Sequence, residues 1–157
     1  MSGTRNAVDR RARNDRRFNS INRRASRNFV TFSPKRLFSP VGDNVIDITF
    51  SVPGRNAPAA VDGFGAVFVD VDKARTTKLT AYNKDGCVIF EEFVKPSPGG
   101  LSFLGVSFGK GNDVIKKVVI ELGDAFLNRS GSGNGRRKRD DVVVLDDFAY
   151  GEPQRLR

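Results

Sequence analysis

The residues of this chain that could do chemistry are carboxylates, because the 157-residue sequence has no histidine and a single cysteine, Cys87. Without an imidazole the commonest general base and the commonest metal ligand are both missing, and serine–histidine or cysteine–histidine nucleophiles cannot be assembled. Acid–base pairs remain: Asp70 with Asp72, Glu91 with Glu92, Asp140 with Asp141, and Asp146 with Asp147. Neighbours on a strand point to opposite faces, so Glu91 and Glu92 cannot converge on one substrate, whereas Asp70 and Asp72 can. A glycosidase needs two such groups flanking a cleft, but charged strand ends facing water explain the same spacing. The reading is therefore of a protein that is not an enzyme.

A hard cation is the sharper use of these groups, since calcium takes roughly six to eight oxygens in irregular geometry. Asp70 and Asp72 close one expected strand and Asp146 and Asp147 lie in another; if those strands are neighbours, calcium is the cofactor these residues would hold. No EF-hand loop, Walker A loop or GxGxxG pattern is present. A sugar platform wants Trp or Tyr faces, and the chain has no Trp and only Tyr82 and Tyr150. Its many Phe residues fall at alternating positions that suit a core.

The other chemistry is cationic. Residues 1–28 hold nine Arg against two Asp, which is +7 of the chain's +9 and leaves +2 for the rest. Arg10, Arg11, Arg13, Arg16, Arg17, Arg23 and Arg24 form one basic group, and Arg136, Arg137, Lys138 and Arg139 form a second. Arginines on unstructured chain neutralise phosphates by counterion release, giving sequence-independent, salt-sensitive affinity. Asp140 and Asp141 cancel part of the second group's field. Nucleic acid or another anionic surface is thus one expected partner.

The elements that must position these groups read as β throughout. Residues 1–28 are too charged and too poor in apolar groups to pack, and are expected to be a disordered tail. Residues 29–38 suggest a strand and a corner at Pro34. Residues 44–52 alternate, with Ile46, Ile48, Phe50 and Val52 on one face. Residues 61–71 are apolar on both faces up to Asp70, which predicts a central strand covered on both sides. Asn83-Lys84-Asp85-Gly86 between residues 77–82 and 87–94 predicts a hairpin, with Cys87 in its second strand. Further strands are expected at 101–108, 114–122 and 142–150, with a helix over 114–127 as the alternative for that segment, and a flexible loop over 128–139. The expectation is an antiparallel β-sandwich or jelly roll of seven to eight strands over residues 29–153, between the basic tail and a short C-terminal tail at 154–157. No segment is apolar enough for a membrane span, and no apolar signal segment follows the N-terminal arginines.

Four stretches carry a resemblance: TFSPKRLF at 31–38, GFGAVFVDVD at 63–72, LSFLGV at 101–106 and DVVVLDDFAYGEP at 141–153. Together they resemble an uncharacterised bacterial β-sandwich domain, often found in exported proteins. The Asp-Asp-Phe strand is similar to the last strand of jelly-roll modules of the galactose-binding-like and carbohydrate-binding classes. The resemblance implies a binding or adhesion module with an extracellular glycan or protein as partner. It also implies a structural calcium near Asp146 or Asp147, and a secreted setting that the absence of a signal segment does not support. Where such a domain would have an opening strand, this chain has arginine-rich sequence.

Overall fold

The computed structural model describes residues 4–6, 29–30, 32, 37–109, 114–127 and 140–156. Among them there is no helix, and so none long and apolar enough to cross a membrane. The strands are β1 (Thr4–Asn6), β2 (Leu37–Ser39), β3 (Val45–Ser51), β4 (Pro58–Ala60), β5 (Gly63–Val71), β6 (Lys78–Tyr82), β7 (Val88–Phe93), β8 (Ser97–Ser107), β9 (Lys117–Glu121), β10 (Val144–Tyr150) and β11 (Gln154–Arg155). They form two sheets, ordered β1-β2-β10-β5-β8 and β11-β4-β3-β9-β6-β7, and every strand pairing is antiparallel.

The pairings are nested. β6 pairs with β7, β5 with β8, β3 with β9 and β2 with β10, as if one long hairpin had been rolled up. The hairpin tip is the expected one. Asn83 Oδ1 accepts the amides of Asp85 and Cys87 at 3.0 and 2.9 Å, and Gly86 takes a φ of +81°, a conformation side chains resist.

The core between the sheets follows from alternation. On β3, Ile46, Ile48 and Phe50 are buried and the residues between them exposed. β5 runs between β10 and β8 and is buried on both faces: Phe64, Ala66 and Phe68 enter the inter-sheet core, while Val69 belongs to a second cluster on the other face. On β9, Val118 and Ile120 are fully buried at a two-residue period, so the 114–127 segment resolves as a strand and turns.

Several expectations need correction. Residues 4–6 of the expected disordered tail form β1 on the edge of β2. β4 and β11 fall where a loop and a tail are expected, but Pro58 is tolerated at a strand's first residue, and Gln154 and Arg155 pair with Ala60 and Ala59. β8 begins at Ser97, ahead of the expected Leu101. Cys87 is exposed in the turn before β7 and packs in no core. Pro34 and the whole of the loop expected at 128–139 lie outside the described residues.

Candidate functional site

Three places on the sandwich gather residues that are not explained by the inter-sheet core. The first is an apolar cluster on the outer face of the five-stranded sheet. Val144 and Val69 are register partners on β10 and β5, and Leu37, Phe29 and Leu127 close over them; all five are at most 5% exposed. Val30, Val41 and Val142 pack against its rim. The Gly42 amide donates to the Leu127 carbonyl at 2.8 Å. Phe29 follows the arginine-rich segment in the chain, and Leu127 and Val142 bracket the segment that carries Arg136, Arg137, Lys138 and Arg139. Two basic stretches separated by about a hundred residues in the chain are thus fastened at one spot. Arg10, Arg11, Arg13, Arg16, Arg17, Arg23, Arg24 and the four residues 136–139 themselves lie outside the described residues.

The second place is a carboxylate corner next to that cluster. Asp70 bulges out of the β5–β8 ladder with φ +64°, is buried, and accepts the Gly99 amide at 2.7 Å. Burial pushes its carboxyl up to about 6, the Gly99 amide pulls it down, and the charges of Asp72 and Asp141 add to the rise. Asp141 is fully buried and accepts the amides of Asp72 and Lys73 at 3.0 and 3.3 Å and the Thr76 hydroxyl. Desolvation raises its carboxyl, and those donors oppose the rise. Asp124 accepts the Asp141 amide at 2.7 Å and pairs with Lys73. Burial alone would raise Asp124, but the Lys73 ammonium and that amide hold it below the ordinary range. Asp70, Asp124 and Asp141 each accept a backbone amide, which is work done for the fold.

The third place is a cleft at the open side of the sandwich, with a volume of about 500 Å³. Five rings follow one another along its wall: Phe38 meets Phe148 at 6.0 Å between centroids, Phe148 meets Phe64 at 6.0 Å, Phe64 meets Phe50 at 6.2 Å, and Phe50 meets Tyr150 at 5.9 Å. Tilted and edge-on arrangements of this kind suit the ring quadrupoles. Thr49, Ser51, Asp146 and Asp147 supply the polar lining. Asp146 is buried and its Oδ2 accepts the Phe32 amide at 2.6 Å, whereas Asp147 faces solvent.

The four carboxylates read from the sequence are therefore divided. Asp70 and Asp72 belong to the corner, Asp146 and Asp147 to the cleft: Asp146 and Asp147 form the β10 irregularity between Leu145 and Phe148, inside the ladder, while Asp70 follows Val69 where that ladder ends. Among the described residues no three Asp, Glu, Cys or His side chains group as a metal ion would require, so the shared calcium site expected from Asp70, Asp72, Asp146 and Asp147 is not formed. Glu91 is engaged by Lys78 at 3.3 Å on the sheet surface. Sequence reasoning missed Asp124 and the loop-pinning role of Asp141, whose partners are backbone amides and carry no side-chain signature. Phe64, read as a core residue, is buried in the inter-sheet core and also lines the cleft. Comparison with family models, with curated proteins and with solved structures finds no match.

Proposed function

We propose that this protein is a non-catalytic nucleic-acid-binding module, in which a jelly-roll sandwich serves as the rigid base for two arginine-rich segments. The nested pairing of β2 with β10, β3 with β9, β5 with β8 and β6 with β7 supports the jelly-roll reading of the sandwich. The observation that carries the functional reading is a common anchorage: Phe29, which follows the arginine-rich segment, shares one cluster with Leu127 and Val142, which flank the Arg136–Arg139 segment, so one attachment of each basic segment lies at the same place. Two cationic segments released from one spot can follow one phosphate backbone, and the second contributes at high effective concentration once the first is bound.

The test is affinity for single-stranded RNA and duplex DNA across salt, measured on the full chain. Two variants are compared with it: one with Arg10, Arg11, Arg13, Arg16, Arg17, Arg23 and Arg24 replaced by Gln, and one with Arg136, Arg137, Lys138 and Arg139 replaced by Ala. Each variant is expected to weaken binding and flatten the salt slope, by about one unit for every phosphate that is no longer neutralised. Undiminished binding by the first variant would sink the proposal.

A second reading attaches to the aromatic cleft. Ring faces on Phe50, Phe148 and Tyr150 beside the carboxylate of Asp147 fit a ring-shaped polar ligand such as a glycan, as the resemblance to carbohydrate-binding modules implies. Binding to a glycan panel that Tyr150→Ala and Asp147→Asn abolish would favour it, and a silent panel would remove its support.

A further inference from the structure

The sandwich has sheet edges, and they are not treated alike. β1 is three residues long; β11 is two residues long and carries Arg155; β7, the other edge of the six-stranded sheet, carries exposed Glu91 and Glu92. Short strands and charges are the ordinary ways in which a protein keeps other chains from adding to an edge. β8 ends the five-stranded sheet, and among the described residues no strand pairs with its outer side. Its proline, Pro98, stands near its start, and from Leu101 to Ser107 it holds neither a charge nor a proline. Its side chains on the outer face of the sheet are also apolar: Leu101 is 37% exposed and Phe103 65% exposed. The Phe103 ring lies against Gly65 of β5, where a Cβ would stand 2.6 Å from Cζ.

From this contrast we infer that β8 is where a second copy of this chain adds, antiparallel and across a two-fold axis near Phe103, so that the two five-stranded sheets become one. A partner of opposite charge has nothing to recognise on an uncharged strand. A strand paired with its own copy around a two-fold places no like charges opposite one another, satisfies the free amides and carbonyls of both edges at once, and brings the two exposed Phe103 rings together. The contact is closed, because pairing uses up the β8 edge of each copy. The dimer would present the basic segments in pairs, but its formation does not depend on the nucleic-acid reading.

Sedimentation of the nuclease-treated full chain in about 1 M salt, where charge-mediated bridging is screened, decides the matter. The expected result is a dimer that dissociates on dilution, with Phe103→Lys monomeric at the same concentrations and Val88→Lys, on the charged β7 edge, still dimeric. Circular dichroism checks that each variant is folded; if Phe103→Lys is not, Leu101→Lys carries the same expectation. A monomeric wild type, or a folded Phe103→Lys that remains dimeric, overturns the inference. Because nucleic acid is absent from the measurement, loss of RNA affinity in the arginine variants neither rescues nor harms it.

Discussion

Two apolar clusters hold this molecule together, and they differ in origin. The inter-sheet core draws Ile46, Ile48, Phe50, Phe64, Phe68, Leu79, Val118 and Ile120 from strands whose alternation dictates which way each side chain faces. The outer cluster draws Phe29, Leu37, Val69, Leu127 and Val144 from chain ends and loop borders as much as from strands. The first makes the sandwich; the second gathers residues that flank the arginine-rich segments in the chain. The two clusters share no residue, and each can be damaged with the other left in place.

The largest expected effect is on the first cluster. Phe68 is fully buried in the middle of β5, and Phe68→Ala should cost about 3–5 kcal/mol, lowering the midpoint of denaturant unfolding and abolishing every binding activity with it. Leu127→Ala, in the outer cluster, should cost about 2–4 kcal/mol and show its damage locally. Hydrogen exchange should accelerate at Val41, Gly42 and Leu127 while the β3, β6 and β9 amides stay protected; uniform acceleration would mean that the clusters are not separable. Gly123 lies between the two. It has φ +66°, and a Cβ there would stand 2.1 Å from the Asp141 carbonyl oxygen, so Gly123→Ala should destabilise by about 2 kcal/mol or more from backbone strain and overlap, seen as a lower thermal midpoint.

A smaller effect of opposite sign is expected at Asp70. Its folded carboxyl titrates at about 6 against an ordinary 3.8, so between those values the folded chain holds a proton that the unfolded chain has released. Its contribution to stability is therefore full below about pH 3.8 and is lost as pH rises through 6. Asp141, also raised, acts in the same direction, and Asp124, lowered, acts in the other. Asp70→Asn keeps an acceptor for Gly99 and a side chain that tolerates positive φ. It should be more stable than wild type by about 1–2 kcal/mol at neutral pH, with the difference vanishing toward about pH 4. Equal stability at both pH values would show that the corner is not strained by charge. The smallest effect is expected at exposed Cys87, where Cys87→Ser should shift stability by no more than about 0.5 kcal/mol.

Alternation of apolar and polar residues at 44–52, the doubly apolar run at 61–71 and the Asp-Gly turn at 85–86 are enough to read an all-β sandwich, since each is a local property of successive side chains. The division of charge is equally plain, because counting arginines needs no coordinates. Pairings between distant segments are not legible. β4 is a strand because it pairs with β3 and β11, and β11 because β4 offers it an edge, and three or two residues carry no period to read. The same holds for the sites. Asp70, Asp72, Asp146 and Asp147 look alike on paper, but Asp70 turns into the corner past the end of the β5–β10 ladder while Asp146 and Asp147 sit in a β10 irregularity that lines the cleft, and Asp141 gains its role from amides it meets only after folding. That Phe29 and Leu127 share one cluster, and that the uncharged stretch Leu101–Ser107 of β8 stands at a sheet edge, are facts of long-range packing, which only the tertiary structure could decide.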